Sequence, residues 1–562
     1  MNNNNLYEDW KKSVIYQIYP KSFRSAHQRA TGDIQGIIEK LDYLAFLGVD
    51  YLWITPIYTS PQRDNGYDVS NYYTIDESYG TMEDFDQLVA EAKERGIGIM
   101  MDIVVNHSST DHPWFQEARQ NRNSRYRDYY IWQNEPNNWQ SKFGGSAWKY
   151  DNATGQYYLH LFDETQADLN WENEQMRQDV YEMMRFWANK GVSGFRLDVI
   201  NLISKDTSFP DDTAGDGRKH YTDGPRVHEF IQEMNREVFA NRDVITVGEM
   251  SSTSIDNCIL YSNPVRQELS MTFSFHHLKV DYPNGEKWTQ APFDFAMLKN
   301  IMSSWQIGMQ QGQGWNALFW CNHDQPRIVS RFGHEGQYHK QSAKMLATAL
   351  HLLQGTPYIY QGEEIGMTNP GFQSIEDYRD VETLNIYHAK RQAGASEEDV
   401  MGAIRQKSRD NSRTPMQWDR TEHAGFSQAT PWIGIPANAQ DINVEQALQD
   451  PDSILHHYKK LIELRKREAV ITEGRYTLMF EHHPQVWAYT RTTDDDMLLV
   501  INNFYEEPAI LDWHLEPLLH HDLMNSDSEV LISNYEDTQL STDSAYVLRP
   551  YESIVFRCVR RT

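Results

Sequence analysis

Cysteine is scarce, with three residues in 562, at Cys258, Cys321 and Cys558. An odd, widely spaced set excludes a disulfide framework and the paired spacing of a zinc site, and predicts reduced thiols. No run of about 18 apolar residues occurs, so no membrane-spanning helix is expected. The first residues, MNNNNLYEDWKK, lack the apolar core of a secretory signal. Positive charge is short as well: 52 Lys and Arg face 80 Asp and Glu, a net charge of −28. Such a field argues against nucleic acid or an anionic membrane as partner, and an anionic ligand would need a dedicated cationic site. There are no internal repeats. These absences lead to the expectation of a cytoplasmic protein without nucleic-acid or membrane partners; a monomer is expected because no apolar surface helix is left over.

What is present begins with size. A chain of 562 residues predicts two or three domains, one of them large enough for a barrel of roughly 250 residues or more. Aromatic residues are plentiful, 16 Trp and 32 Tyr among them, which suits either a sugar-binding cleft or a large core. Short apolar runs alternate with amphipathic segments, the βαβα pattern of a parallel sheet. Eight candidate strands follow: Val14–Phe23, Val49–Tyr58, Ile97–His107, Gly194–Ile200, Val244–Met250, Ser270–His277, Ala317–Asp324 and Pro357–Gly366. Between the first two, Ile37, Leu41 and Leu44 recur at helical spacing; after the second, Phe85, Leu88, Val89 and Ala92 do so, with Gly48 and Gly96 at the helix ends. The prediction is an α/β fold, a (β/α)8 TIM barrel with its function at the C-terminal strand ends.

Two spacings break the pattern. About 85 residues separate strands three and four, far beyond an ordinary connection, and are rich in Trp, Tyr, Asn and Gly. They predict a small domain inserted after strand 3. A mostly polar stretch, 368–452, follows strand eight. After a last amphipathic helix carrying Ile454, Tyr458, Leu461 and Leu464, the runs VWAYTR, MLLVINNF and YVLRPYESIVFRC predict a C-terminal antiparallel β domain. The expected division is a barrel over 1–105 and 176–475, an inserted subdomain over 106–175, and a C-terminal β-sandwich over 476–562.

Acidic residues gather at the predicted strand ends: Asp102 with His107, Asp198 with Arg196, Glu249, and Asp324 with His323. A single buried carboxylate can be structural, but several converging on one barrel mouth point to acid-based chemistry. Retaining glycoside hydrolysis needs two carboxylates about 5–5.5 Å apart, one as nucleophile and one as acid/base. Asp198 and Glu249, on neighbouring strands, suit that pair. Arg196 lies two residues before Asp198 and so shares its face of the strand, where it would keep Asp198 ionised while Glu249 stays protonated beside that anion.

The stretches DIVVNH, GFRLDVIN, VGEM and NHDQPR resemble the four signature regions of glycoside hydrolase family 13, the α-amylase family, and QIYPKSF, DNGYDV and RTPMQW resemble its oligosaccharide α-glucosidase branch. The resemblance implies that Asp198 is the nucleophile, Glu249 the acid/base, and Asp324 the carboxylate that holds the sugar's 2- and 3-hydroxyls. It implies that His107 and His323 bond the sugar in the −1 subsite, that Tyr67 is the platform under it, and that Asp64 and Arg413 form an ion pair closing the blind end. Many members of the branch carry a calcium loop after the first strand. Here the loop reads SFRSAHQRATGD, with Asp33 left of the acidic set and Arg24, His27 and Arg29 among the ligand positions. Hard-cation binding needs several oxygen ligands, so neither a metal nor any cofactor is expected.

The strand-six loop reads FSFHHLKVDYPNGEKW, where neutral glucosidases of the branch have a stretch resembling FEHM. His276 replaces a Glu, and Lys279 and Lys287 are added on either side of the Pro283-Asn284-Gly285 turn. The expectation is a phosphate site of His276, Lys279 and Lys287 beside the +1 subsite. With NNWQSKFGGSAW, GRKHYTDGPRVHEF and VGEMSST, this pattern resembles the phospho-α-(1,1)-glucosidases, and implies a phosphorylated disaccharide, trehalose 6-phosphate, as substrate. The competing expectation is an oligo-α-1,6-glucosidase acting on isomaltose-type sugars; Val199, after the nucleophile, fits both.

Overall fold

The computed structural model describes residues 10–213, 215–539 and 545–560. Eight short parallel strands close a barrel: β1 (Ile15–Ile18), β2 (Tyr51–Ile54), β3 (Gly98–Ile103), β4 (Gly194–Leu197), β5 (Ile245–Glu249), β6 (Met271–Phe273), β7 (Asn316–Leu318) and β8 (Thr356–Tyr360). Each pairs with its sequence neighbours, and β1 closes on β8. Covered on both faces, the strands read as continuous rather than alternating apolar runs. The register sets Arg196 of β4 directly between Asp102 of β3 and Val247 of β5.

The helices obey their capping signals. Helix Leu41–Leu47 stops where Gly48 takes φ +96° and returns its N–H to Leu44, a conformation closed to most side chains. Helix Met82–Glu94 opens on a Thr81/Asp84 capping box and buries Phe85, Leu88 and Ala92, leaving Val89 half-buried. Each fully buried side chain of this kind contributes about 1.5–3 kcal/mol.

All eight strands end earlier than the sequence suggested, and four of them show why. The first stops at Ile18 because Pro20, which has no N–H for a ladder, opens a 3-10 turn. The sixth stops at Phe273, and His276–Lys279 coil into a 3-10 turn. The seventh stops at Leu318; Asp324 is held instead by an Asx turn in which Asn322 Oδ1 accepts its N–H at 2.8 Å. The eighth stops at Tyr360, before a 3-10 turn flanked by left-handed Gly362 and Gly366. Asp324, six residues beyond the seventh strand, therefore lies in a loop.

Between β3 and β4, His107–Ser109 pairs antiparallel with Gln166–Asp168, and Trp132–Gln133, Gln156–Leu159 and Trp148–Asp151 form a three-stranded sheet. Its small core of Trp139, Trp148 and Leu161 also takes in Val199, Leu202 and Tyr221 from beyond β4. After β8 come helices Val381–Gln392 and Glu397–Lys407. The C-terminal part is a five-stranded antiparallel sheet with a two-stranded one, Ala509–Asp512 with Ala545–Leu548. Trp487, Tyr489 and Val500 join the barrel's core, while Leu511, Trp513 and Phe556 make a second one. Among the described residues no helix is long and apolar enough to cross a membrane.

The loop after β1 is tied by the protein itself. Asp33 Oδ1 accepts the N–H groups of Gly36 and Ala26 at 2.7 and 3.2 Å, and its Oδ2 that of His27 at 3.1 Å. Arg24 pairs with Glu39 at 3.1 Å and reaches the carbonyl oxygens of Gly425 and Phe426 in the distant 368–452 insertion.

Candidate active site

At the C-terminal mouth of the barrel one guanidinium holds three carboxylates. Arg196 is buried, and its Nη1 donates to Asp198 Oδ1 at 2.5 Å and to Asp102 Oδ1 at 2.8 Å while its Nη2 meets Glu249 Oε2. Asp102 also accepts from Tyr67 Oη at 2.9 Å and Trp53 Nε1 at 3.2 Å. Burial pushes Asp102 up to about 7, against the pull of Arg196. Glu249 is pushed up to about 8, first by burial and then by the Asp198 anion to which it hydrogen bonds, with Arg196 opposing. A carboxyl that stays protonated at neutral pH beside a carboxylate held by a guanidinium can serve as acid and nucleophile at one point. Val199 follows with φ +37°; a β-branched side chain there stores about 1–3 kcal/mol, held by its packing into the inserted region's core.

A second group closes the floor. Tyr67 stacks on His323 with ring centroids 5.3 Å apart. His323 is buried and pushed down to about 3, hence neutral, so the standing positive charges around Asp324 are Arg413 Nη2 at 2.6 Å and Arg409 Nη1 at 3.4 Å. Burial alone would raise Asp324; these neighbours hold it well below the usual carboxylate range. His107, its pKa lowered by burial, faces Tyr67 O at 3.2 Å and Gln166 Nε2 at 3.3 Å.

The Asp64–Arg413 pair expected from the sequence is rearranged. Arg413 turns to Asp324, and the cation nearest Asp64 is Arg409, at 3.6 Å. Burial lifts Asp64 to about 7 despite both guanidiniums. Arg409 also grips Asp380 at 2.6 Å. Neither Arg409 nor Asp380 was singled out in the sequence; the available signal was that Arg409 stands four residues before Arg413 in the same polar insertion.

The expected phosphate site is regrouped as well. Lys287 lies between both oxygens of Glu382, at 2.9 and 2.7 Å, so its charge is already committed. His277 is buried and hydrogen bonds to Phe319 O at 2.8 Å. His276 packs its ring on Trp305 and stands near Lys279, whose charge adds to burial in lowering its pKa. Lys279 reaches solvent yet lies recessed, and desolvation with the charge of Arg218 lowers its pKa. Two further cations act on this cluster: Arg218, from the short helix Arg218–Tyr221 between β4 and β5, and Lys142, from the inserted region. Lys142 donates to Ser251 Oγ at 3.0 Å, two residues beyond Glu249, and is pushed down to about 8 by burial, Arg218 and Lys279. Of the three, Arg218 alone has a carboxylate partner among the described residues, Asp216 at 3.2 Å. Lys142 and Arg218 lie inside NNWQSKFGGSAW and GRKHYTDGPRVHEF, so the signal was in stretches already noted, read there for likeness and not for charge.

The α-amylase catalytic-domain family matches residues 17–474, and the alpha-amylase SusG C-terminal domain family matches 486–555. The chain is 59% identical to the trehalose-6-phosphate hydrolase of Bacillus subtilis over 98% of both chains, and 51% identical to an oligo-1,6-glucosidase of Parageobacillus thermoglucosidasius over 98% of both. The crystal structure of the Bacillus licheniformis trehalose-6-phosphate hydrolase superposes with a TM-score of 0.95 at 59% identity, covering 98% of this chain and 100% of the other. A likeness that runs through all eight strands and both insertions leaves one conclusion: the chain belongs to the α-amylase family and is a glycoside hydrolase.

Proposed function

We propose that this enzyme cleaves trehalose 6-phosphate to glucose and glucose 6-phosphate with retention at the anomeric carbon. The observation that carries the reading is the trio Lys142, Arg218 and Lys279 near the end of β5 that bears Glu249, two of them without an ion pair among the described residues, in a chain of net charge −28. Three cations brought together with one paired carboxylate, Asp216, are under-compensated, and binding of an anion there relieves the repulsion. A 6-phosphate on the leaving glucose supplies that anion. The floor, by contrast, is closed by Asp64, Asp324, Arg409 and Arg413 and suits a neutral terminal glucose.

In this reading an Asp198 oxygen attacks the anomeric carbon of the unphosphorylated glucose. The glycosidic bond breaks, its oxygen takes the proton of Glu249, and glucose 6-phosphate leaves. A water then gives a proton to Glu249 as its oxygen attacks the same carbon, the ester to Asp198 breaks, and glucose is released. Asp324, His107 and His323 bond the hydroxyls of that glucose, and Tyr67 lies under it. Arg196 Nη1, 2.5 Å from Asp198 Oδ1, orients that carboxylate. The enzyme works as a cytoplasmic monomer; its three cysteines, all buried free thiols, are in keeping with a reducing compartment.

The second reading, an oligo-α-1,6-glucosidase, has the 51% identical relative in its favour. The deciding experiment compares trehalose 6-phosphate, trehalose and isomaltose with the wild type and Lys142→Ala/Lys279→Ala. The expected result is strong preference for the phosphorylated sugar and a rise in its KM of about 10–100-fold in the variant, the size of one or two lost charge-assisted hydrogen bonds. Equal or better turnover of isomaltose, indifferent to the two substitutions, overturns the reading.

A further inference from the structure

Lys287 is left without a part in phosphate recognition, and its surroundings suggest another. It stands in the loop after β6, and that loop is fastened to helix Val381–Gln392 by two ion pairs of opposite sense: Lys287 with Glu382, at 2.7 Å, and Glu286 with Lys390, at 3.1 Å. Trp288 packs beside them on the core of the 368–452 insertion. Glu382 does not stop at Lys287. Its Oε2 lies 3.6 Å from Arg409 Nε, just outside hydrogen-bond range, and Arg409 is the cation that reaches Asp380 at 2.6 Å, Asp324 at 3.4 Å and Asp64 at 3.6 Å. Four carboxylates thus compete for one buried guanidinium, and Lys287 satisfies one of them.

We propose that Lys287 is a positioning residue for the −1 subsite: by holding Glu382 it leaves Arg409 to Asp324 and Asp64. The proposal rests on reading Asp324 as the carboxylate that holds the sugar. Without Lys287, Glu382 is a half-buried anion whose nearest cation is Arg409, and closing a gap of 3.6 Å to a normal hydrogen bond draws the guanidinium away from Asp324. At low effective dielectric a shift of that size alters charge–charge energies by an amount that turnover registers. The effect acts on the sugar at −1, so it is blind to whether the leaving group carries phosphate.

The test uses Lys287→Met, Glu382→Gln and the double variant, with Lys279→Met for comparison, assayed on trehalose 6-phosphate and on p-nitrophenyl α-glucoside. Thermal unfolding midpoints establish that each variant is folded. Lys287→Met is expected to lower kcat about tenfold on both substrates, a change of about 1.4 kcal/mol in the barrier, leaving the ratio of their kcat/KM values unchanged, whereas Lys279→Met collapses that ratio. Adding Glu382→Gln to Lys287→Met is expected to restore most of the lost kcat, because the competing anion is gone. A variant as poor as Lys287→Met alone would mean that the lysine merely anchors its loop. A raised KM confined to trehalose 6-phosphate, or no change at all, overturns the proposal. Full activity in Asp324→Asn would instead remove the reading of the subsite on which it stands.

Discussion

The floor and the mouth of the cleft handle charge in opposite ways. At the floor every guanidinium is matched: Arg196 by Asp102, Asp198 and Glu249, and Arg409 and Arg413 by Asp64, Asp324 and Asp380. At the mouth, 3.0 Å from a serine two residues past Glu249, Lys142 makes no ion pair among the described residues, nor does Lys279, and Asp216 and Glu249 offset the charge of Lys142 only from further off. The floor is internally neutralised and presents polar edges to an uncharged sugar. The mouth keeps an excess of positive charge, at a cost in folding free energy, which on the proposed reading the substrate's phosphate answers. On that reading, balance within one barrel goes with shaping a sugar and imbalance with recognising a ligand charge.

The comparison breaks hardest at the reacting pair. Asp198→Asn or Glu249→Gln is expected to lower kcat about 10⁴-fold or more, measured by steady-state turnover of trehalose 6-phosphate, since members of a catalytic unit fail together. A smaller break strikes the balance of the floor. Arg413→Met leaves Asp324 with one fewer partner and is expected to cost about 3–5 kcal/mol in stability by denaturant unfolding, the usual penalty for removing half of a buried pair. An Asp324→Asn/Arg413→Met double variant should lose less than the sum of the two single changes.

The third test sharpens the comparison and uses pH. Glu249 must hold its proton to act as the acid. With its pKa raised to about 8, it stays protonated below that pH and loses the proton above it, so kcat falls as pH rises through about 8. Lys142, lowered to about 8, is charged below that pH and neutral above it, so affinity for phosphate weakens over the same range. The alkaline limb of log kcat/KM is therefore expected to be steeper for trehalose 6-phosphate, approaching two units per pH unit, than for p-nitrophenyl α-glucoside, near one. Parallel limbs would separate Lys142 from the phosphate.

Much of this was legible in the sequence. The eight strands, the inserted region and the C-terminal β domain follow from alternating runs and uneven spacing, and Asp198 and Glu249 stood out by their positions at strand ends, whereas Asp324 lies six residues past its strand. What the sequence concealed was pairing. Arg413 binds Asp324 and not Asp64, because Arg409 lies between Asp64 and the acids of the polar insertion. Lys287 turns to Glu382, 95 residues away in the chain, and no local pattern foretells that partner. Strand ends were overrun for a related reason: GFRL and NALF are equally apolar, but a ladder stops when its neighbours stop, which is a property of the closed barrel and not of the segment.

The Arg24 loop carries a last consequence. Where a loop is pinned by a dissociable ion, its order follows the supply of that ion, and dilution or a chelator can loosen it. Here the positive charge that bridges the loop to the carbonyl oxygens of Gly425 and Phe426 is a side chain. It obeys no binding isotherm, and its local concentration is set by the peptide bond. Occupancy of this clamp is inherited with each copy of the chain, whatever the solution around it contains.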